Sequence, residues 1–393
     1  MSTLKVDAIR HNSATSDAIT TVSDGTCTAK LPSVGGAGLS HRNIVTNGAM
    51  VVAQRGTSST STGITTVDRF GLSTSGVDEA MTQAQVDVAS GTTPYSLGFR
   101  KAYKITNGNQ TSGAGTSDRC IVYTTIESQD NANAGWNYTS SSSFTTLSFW
   151  AKSSVAQTFY MALTTQDGTQ QRYASPLTFT STDTWTKFTY KIPGASGVQF
   201  DNNAERGMQI YWTLFRGTND TDNSFTINQW AAYNSSIRYP DITTTWYTTN
   251  DATFELTGVQ LETGDIATSF EFRSYGEELS RCKRYYEQFD SNGLSEAPFG
   301  VGYFESDTQL RAVVPLHEKR GDVSFDSTAA STFSAMNTLN MPAGSAISLY
   351  KTGKKAAIIM LTLSSSVTSG DGRAGILCAS GSTEATLKFE AEI

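Results

Sequence analysis

Two pairs of aromatic residues stand among polar turn residues in this chain: Trp136 and Tyr138 in "AGWNYTSSSS", and Trp246 and Tyr247 in "TTTWYTTND". An exposed indole or phenol ring offers a face on which the C–H side of a sugar can stack, while nearby amides and carboxylates bond its hydroxyls. These four are the candidate glycan-binding residues. They can equally close the ends of a β-structure or fill contacts between subunits, and packing is the favoured reading. Trp150, Trp185 and Trp212 fall inside strand patterns and read as packing residues; Trp230, in "INQWAAY", fits either role.

Catalysis is harder to assemble. Glycoside hydrolysis needs two carboxylates facing across a cleft, ~5–9.5 Å apart. With 36 acidic residues, sequence spacing singles out no such pair. His11, His41 and His317 lie far apart, so a His-dependent triad would have to form across domains. Neither a G-x-S-x-G elbow nor an H-E-x-x-H motif is present. No catalytic residue is assigned, and the chain reads as a binding or structural protein rather than an enzyme. Asp220 and Asp222 in "NDTDNS" have oxygen ligands suited to calcium, but that spacing is common in ordinary turns, which is the reading preferred. Cys27, Cys120, Cys282 and Cys378 show no metal-binding spacing and are expected as reduced, packed thiols. No metal or cofactor is expected.

Composition narrows the class further. The 393 residues carry 17% charged side chains and a net charge of −7, which argues against nucleic acid and anionic membranes as partners. The N-terminus lacks the apolar core of a signal peptide, and no apolar run approaches the ~20 residues of a membrane span. These features predict a soluble protein assembled in a cytoplasm, without membrane insertion.

The elements that must position any site are β-strands. "TTLSFWAKSS", "TDTWTKFTYKI", "MQIYWTLF" and "ATFELTGVQL" alternate apolar and polar residues, with Gly/Asn/Asp/Ser clusters between them. Residues 43–273 therefore predict a β-sandwich or jelly roll, its closing strand running through "FELTGVQLE" with a bulge at Gly258. "TGDIATSFEFR" would then carry the chain off the sheet edge. Residues 1–42 predict an arm, with a strand at "LKVDAI", a reversal at Ser23–Thr26 and a glycine-rich linker from Pro32. The arm has too few apolar residues to bury a core alone. Ser274 and Glu277 form a capping-box signature, and Leu279, Cys282, Tyr285 or Tyr286, and Phe289 recur at helical spacing. The pattern predicts a connecting helix over 274–290, with Glu278 facing away from its apolar stripe. A second β-domain follows over 291–393.

Four stretches in order, "NIVTNGAMVVAQRGTS", "TVDRFGLSTSG", "SFWAKSS" and "FELTGVQLETGDIATSFEFRSYGEELSRCKRYYEQF", resemble a family of bacteriophage fibre proteins common in marine and cyanobacterial phages. The opening "MSTLKVDAIRHNSATSDAITTVSDG" resembles the short N-terminal arm of such virion proteins. The resemblance implies an all-β protein with a jelly roll similar to carbohydrate-binding modules, assembled as a parallel homotrimer. It further implies a tail-fibre or head-fibre location in the virion, with the arm held by a tail or capsid protein. The function implied is receptor binding, meaning adhesion to a host-surface glycan or lipopolysaccharide. A structural head fibre or capsid decoration without receptor binding is the alternative, and a polysaccharide depolymerase a more distant one.

Overall fold

Alternation in "TTLSFWAKSS" becomes a strand whose Leu147, Phe149 and Ala151 are fully buried on one side, and the same rule builds most of the protein. The computed structural model describes residues 6–10, 19–21, 23, 27–29 and 42–393, apart from 338–340, 368–369 and 382–383. Three short antiparallel strands, β1 (Ala8–Ile9), β2 (Ile19–Thr21) and β3 (Cys27–Ala29), form a small sheet in the arm. Of the predicted reversal only Ser23 is among the described residues, and the linker lies outside them up to residue 41.

Two six-stranded antiparallel sheets follow. One has the order β14 (Trp230–Ala232), β11 (Gln171–Thr178), β10 (Thr158–Thr165), β13 (Arg206–Arg216), β8 (Arg119–Glu127) and β5 (Phe70–Ser75). The other runs β12 (Thr186–Pro193), β9 (Phe144–Ser153), β15 (Thr253–Thr263), β7 (Lys101–Thr106), β6 (Thr82–Asp87) and β4 (Ser58–Ser59). Their inner faces share one core, in which Trp212 meets Phe149 edge-on at 5.5 Å between ring centroids and Phe159 meets Phe254 at 5.9 Å. This is the predicted jelly-roll sandwich.

β15, the last strand of the sandwich in sequence, is central in its sheet, between β9 and β7. The bulge does fall at Gly258, where the register with β9 shifts between Thr257 and Gln260. Gly258 has φ +65°, and a Cβ there would lie 2.6 Å from the Phe99 ring, so only glycine fits. Asn43 fills the gap the bulge leaves: its Nδ2 donates to Val259 O (3.0 Å), and its Oδ1 accepts from Leu261 N (3.1 Å).

Four short helices occur among the described residues: α1 (Thr93–Ser96), α2 (Ser128–Ala132), α3 (Thr245–Thr248) and α4 (Tyr275–Lys283). None is long and apolar enough to cross a membrane. Ser274 caps α4 by accepting from Glu277 N at 3.3 Å. The helix ends at Lys283 rather than 290, because Tyr286–Asp290 forms strand β16 and pairs with β24 (Thr386–Glu390). Five residues read as helix thus belong to the second domain. Glu278 is buried, against expectation, because Asn47 N donates to its Oε1 at 2.5 Å.

β19 (Ser324–Ser327) joins β24 and β16 in a three-stranded sheet. Against it packs a six-stranded sheet of β20 (Phe333–Met336), β23 (Ala374–Ala379), β17 (Pro298–Ser306), β18 (Gln309–Pro315), β22 (Ala356–Leu363) and β21 (Gly344–Gly353). Phe304, Leu310, Ile359, Leu361, Leu387 and Phe389 form the core between the two.

A buried charged network locks this domain to the sandwich. Arg69 is 1% exposed; its guanidinium lies 3.5 Å from the Tyr285 ring centroid, donates to Thr125 O at 2.6 Å and pairs with Glu392. Arg55 lies 3.6 Å over the Tyr286 ring and pairs with Glu392 at 3.2 Å. Arg284 grips the fully buried Glu127 with two bonds, of 2.6 and 2.8 Å.

Removing one partner of a buried ion pair strands the other charge. Arg284→Ala is expected to cost about 3 kcal/mol in urea unfolding. Arg281→Ala, which breaks the exposed pair with Glu277, should change stability by no more than about 0.5 kcal/mol. Equal losses would contradict the network's role. Asp68 adds a pH dependence: burial holds its pKa up at about 6, against the Arg55 charge and the Gln54 hydrogen bonds that lower it. The unfolded chain releases this proton near 3.8, so the folded state binds it more tightly between the two values. Asp68 therefore adds stability as pH falls through about 6, completely below 3.8. Asp68→Asn should flatten that part of the Tm-against-pH curve; an unchanged slope would rule the linkage out.

Candidate functional site

Of the four predicted aromatics, Trp136, Trp246 and Tyr247 are buried and Tyr138 is half-buried. Trp246 and Tyr247 are fully buried in the sandwich core. Trp246 Nε1 donates to Thr253 O at 3.0 Å, and Tyr247 stacks on Phe215 at 4.3 Å. Trp136 is buried and clusters with Tyr138 and Phe200, where Tyr138 meets Phe200 edge-on at 4.8 Å. Their polar sequence neighbours come from the loop backbone passing over them, while the rings themselves turn inward. Packing, the reading favoured from the sequence, accounts for these contacts. Trp230 lies against Tyr173, with its Nε1 donating to Pro193 O at 2.6 Å. Asp220 pairs with Arg216, and Asp222 accepts from Ser224 N in a turn. No group of three or more His, Cys, Asp or Glu able to hold a metal occurs among the described residues. Cys120, Cys282 and Cys378 are free and buried.

A different site emerges on the outward face of the sheet containing β10, β11 and β13. Strand alternation turns Met208, Ile210 and Trp212 into the core, so Gln209 and Tyr211 point outward. On neighbouring strands the same rule turns out Ala162, Thr164, Arg172 and Ala174. The segment between β13 and α3 folds back over this face. Ala162 and Ala174 are small enough for Tyr239 to sink fully between them, which raises a wall above the sheet. Asn228 N ties the segment down by donating to Ala174 O at 2.7 Å.

Between wall and sheet lies a cleft of about 230 Å³. Arg119, Arg172, Arg216 and Arg238 line it, together with Tyr211, Tyr233 and Tyr239. The Arg172 guanidinium sits within 4.8–5.4 Å of all three tyrosine rings, inside cation–π range. Arg216 Nε donates to Asp220 at 2.8 Å; burial first, and then the Arg238 charge, hold its pKa below the ordinary value. Burial pushes Tyr211 up to about 12, against the nearby Arg172 charge, so its hydroxyl stays protonated at neutral pH. That hydroxyl donates to Gln209 Oε1 at 2.5 Å. Gln170, Gln166 and Gln209 continue as a chain of amides, with bonds of 2.8 and 3.0 Å. Polar atoms without a partner remain here: Arg119 Nε, Thr164 Oγ1, Tyr239 Oη, and Nε and Nη1 of Arg172.

The cleft continues into a second hollow of about 440 Å³ on the same sheet face. The two share Ser73, Arg119, Gln209 and Tyr211, and the second reaches Tyr123 and Arg206. Together they fall within the ~300–1,000 Å³ of small-molecule sites, with aromatic walls and convergent polar groups. A hollow of about 360 Å³ on the opposite sheet is walled by Phe99, Phe270, Phe272 and Trp150. There Phe99 and Phe270 meet edge-on at 5.0 Å and hold the segment after β15 against the sheet, which is packing.

None of the cleft residues was singled out in the sequence. The usable signal was alternation: the strand that buries Met208, Ile210 and Trp212 must expose Gln209 and Tyr211.

In sequence, no family model and no curated protein matches this chain. Solved structures match it at low identity. A bacteriophage CBA120 tailspike protein 4 enzymatically active domain aligns over 56% of this chain and 21% of its own, at 13% identity and TM-score 0.31. The family 11 carbohydrate-binding module of Clostridium thermocellum, in complex with a β-1,3-1,4-mixed-linked tetrasaccharide, aligns over 52% of this chain and 91% of its own, at 11% identity and TM-score 0.24. The N-terminal cellulose-binding domain of Cellulomonas fimi β-1,4-glucanase C aligns over 55% and 98%, at 13% and 0.24. The chain spans about a fifth of the tailspike's length, and these likenesses carry no assignment of ligand or activity.

Proposed function

We propose that this chain is a fibre-type adhesion protein of a bacteriophage virion, in which the N-terminal arm is held by a tail or capsid protein and the sandwich binds a glycan, such as lipopolysaccharide, on the host surface. The observation that carries the binding half is the outward cleft, where tyrosine rings, an amide chain and unpartnered donors converge. Tyr211 and Tyr233 are only partly buried and offer ring surface to a sugar, and amides match its hydroxyls. The residues lining the cleft include no carboxylate, so the facing pair required for glycoside hydrolysis is not assembled there, which favours binding over cleavage. The attachment half rests on the sequence resemblance of the arm and the four ordered motifs.

Self-association as a trimer has physical support in the second domain. Register across its large sheet sets Met336, Ile376, Val301, Val313 and Ile358 side by side on the face away from the core. Val301 is 66% exposed and Val313 44%, an apolar row that a single chain leaves open to water. Weak contacts multiplied over three copies gain about 10²-fold or more in avidity.

Two measurements test this reading. Purified full-length protein, added to host cells ahead of the phage, is expected to lower adsorption. Tyr233→Ala, at the half-buried cleft rim, should weaken that competition while leaving Tm nearly unchanged; no competition by the parent protein overturns the adhesion role. Light scattering should give three times the chain mass, and Val301→Glu with Val313→Glu should reduce it to the chain mass. A monomeric parent would contradict assembly.

A further inference from the structure

We infer that the cleft takes an acidic sugar, with Arg172 and Arg119 binding an oxyanion substituent, carboxylate or sulfate ester, while Tyr211, Tyr233 and the glutamines hold the ring that carries it. This rests on the glycan-binding reading above and narrows it to a ligand class.

Charge distribution is the first argument. Four arginines line the cleft, and Asp220, paired with Arg216, neutralises one of them, which leaves an excess of three positive charges. The chain as a whole carries −7. Concentrating arginine here runs against the overall balance and creates a local field attractive to anions.

The second argument comes from Arg172 itself. Three arginines are buried among the described residues: Arg69, Arg172 and Arg216. Arg69 meets Glu392 and Arg216 meets Asp220, but Arg172 meets no carboxylate. At 4% exposure its charge is balanced only by the faces of Tyr211, Tyr233 and Tyr239. Ring faces satisfy the cation but accept none of its N–H bonds, and Nε and Nη1 remain unpartnered. A guanidinium held in place by three rings keeps charged N–H donors in reserve for an acceptor, and an oxyanion is the acceptor that also balances the charge. Arg119, whose Nε is also unpartnered, stands on the same sheet face where the cleft opens into the adjoining hollow.

The third argument separates a charged sugar from a bare anion. Tyr239 Oη and Thr164 Oγ1 line the cleft without partners, and the Gln170–Gln166–Gln209 chain supplies amides beside them. An inorganic ion needs no row of amides; hydroxyls around a ring can use one.

The test is calorimetric titration of the full-length chain at low salt with four probes: oligogalacturonate, a sulfated glucan, a neutral xylo-oligosaccharide of equal length, and inorganic polyphosphate. At least one acidic sugar is expected to bind more tightly than the neutral one by about tenfold or more, as a charge-assisted hydrogen bond requires. Raising salt to about 0.3 M should weaken it several-fold. The carboxylate and sulfate arms tell which oxyanion is taken. Arg172→Gln should bring the ratio of acidic to neutral affinity down to about one; Arg119→Gln, at a partly exposed position, provides the same ratio if the first variant does not fold. Equal affinity for neutral and acidic sugars, or equal competition by polyphosphate, overturns the inference and leaves the adhesion role standing. If none of the four binds while the protein still blocks adsorption, the inference also fails and the adhesion role again survives. Failure of adsorption competition is the result that removes both.

Discussion

The junction between the two β-domains depends on one arrangement: arginines laid on tyrosine rings, with carboxylates from distant parts of the chain closing around them. Arg55 and Arg69 come from the start of the sandwich, Tyr285 and Tyr286 follow α4, and Glu392 comes from the residues after β24. Buried ion pairs of this kind return little net stability against their hydrophobic equivalents, because desolvation offsets the attraction. What they do supply is geometry. A guanidinium between a ring and a carboxylate has few alternative poses, so the sandwich and second domain meet in one orientation.

That orientation also positions the cleft. Arg69 immediately precedes β5, the edge strand of the cleft sheet, and Glu127 ends β8, the strand that begins with Arg119. The network therefore holds two strands of the cleft sheet at one end, while the Tyr239 wall closes the face toward the other. The hollow adjoining the cleft is bounded in part by Arg206 and by Ile393, just beyond Glu392. Junction and candidate site are thus two ends of one sheet face.

Much of the architecture was legible because it follows from local rules. Period-2 alternation located the sandwich strands, and Gly258 marked the bulge. The Ser274 cap also marked where α4 begins. Where the helix stops was not legible: Tyr285, Tyr286 and Phe289 continue a helical spacing, but pairing of Tyr286–Asp290 with β24 overrides it. That pairing partner lies about a hundred residues away in sequence, beyond any local window. Glu278 illustrates the same limit, since a buried carboxylate becomes acceptable only through Asn47 and Arg273, which other segments supply.

The candidate site was misplaced for a related reason. Tryptophan and tyrosine among serines and threonines suggest exposed rings, but a short helix in a polar stretch can turn its aromatic residues into the core, as α3 does with Trp246 and Tyr247. The cleft residues instead sit in strands that register as core because of their other face. Net charge hides a second feature of the cleft. A total of −7 says nothing of how charge is distributed, and here Arg119, Arg172, Arg216 and Arg238 are drawn from separate segments into one hollow. At physiological salt a charge acts over roughly 8 Å. A bound group would respond to these arginines and very little to the carboxylates spread over the rest of the molecule.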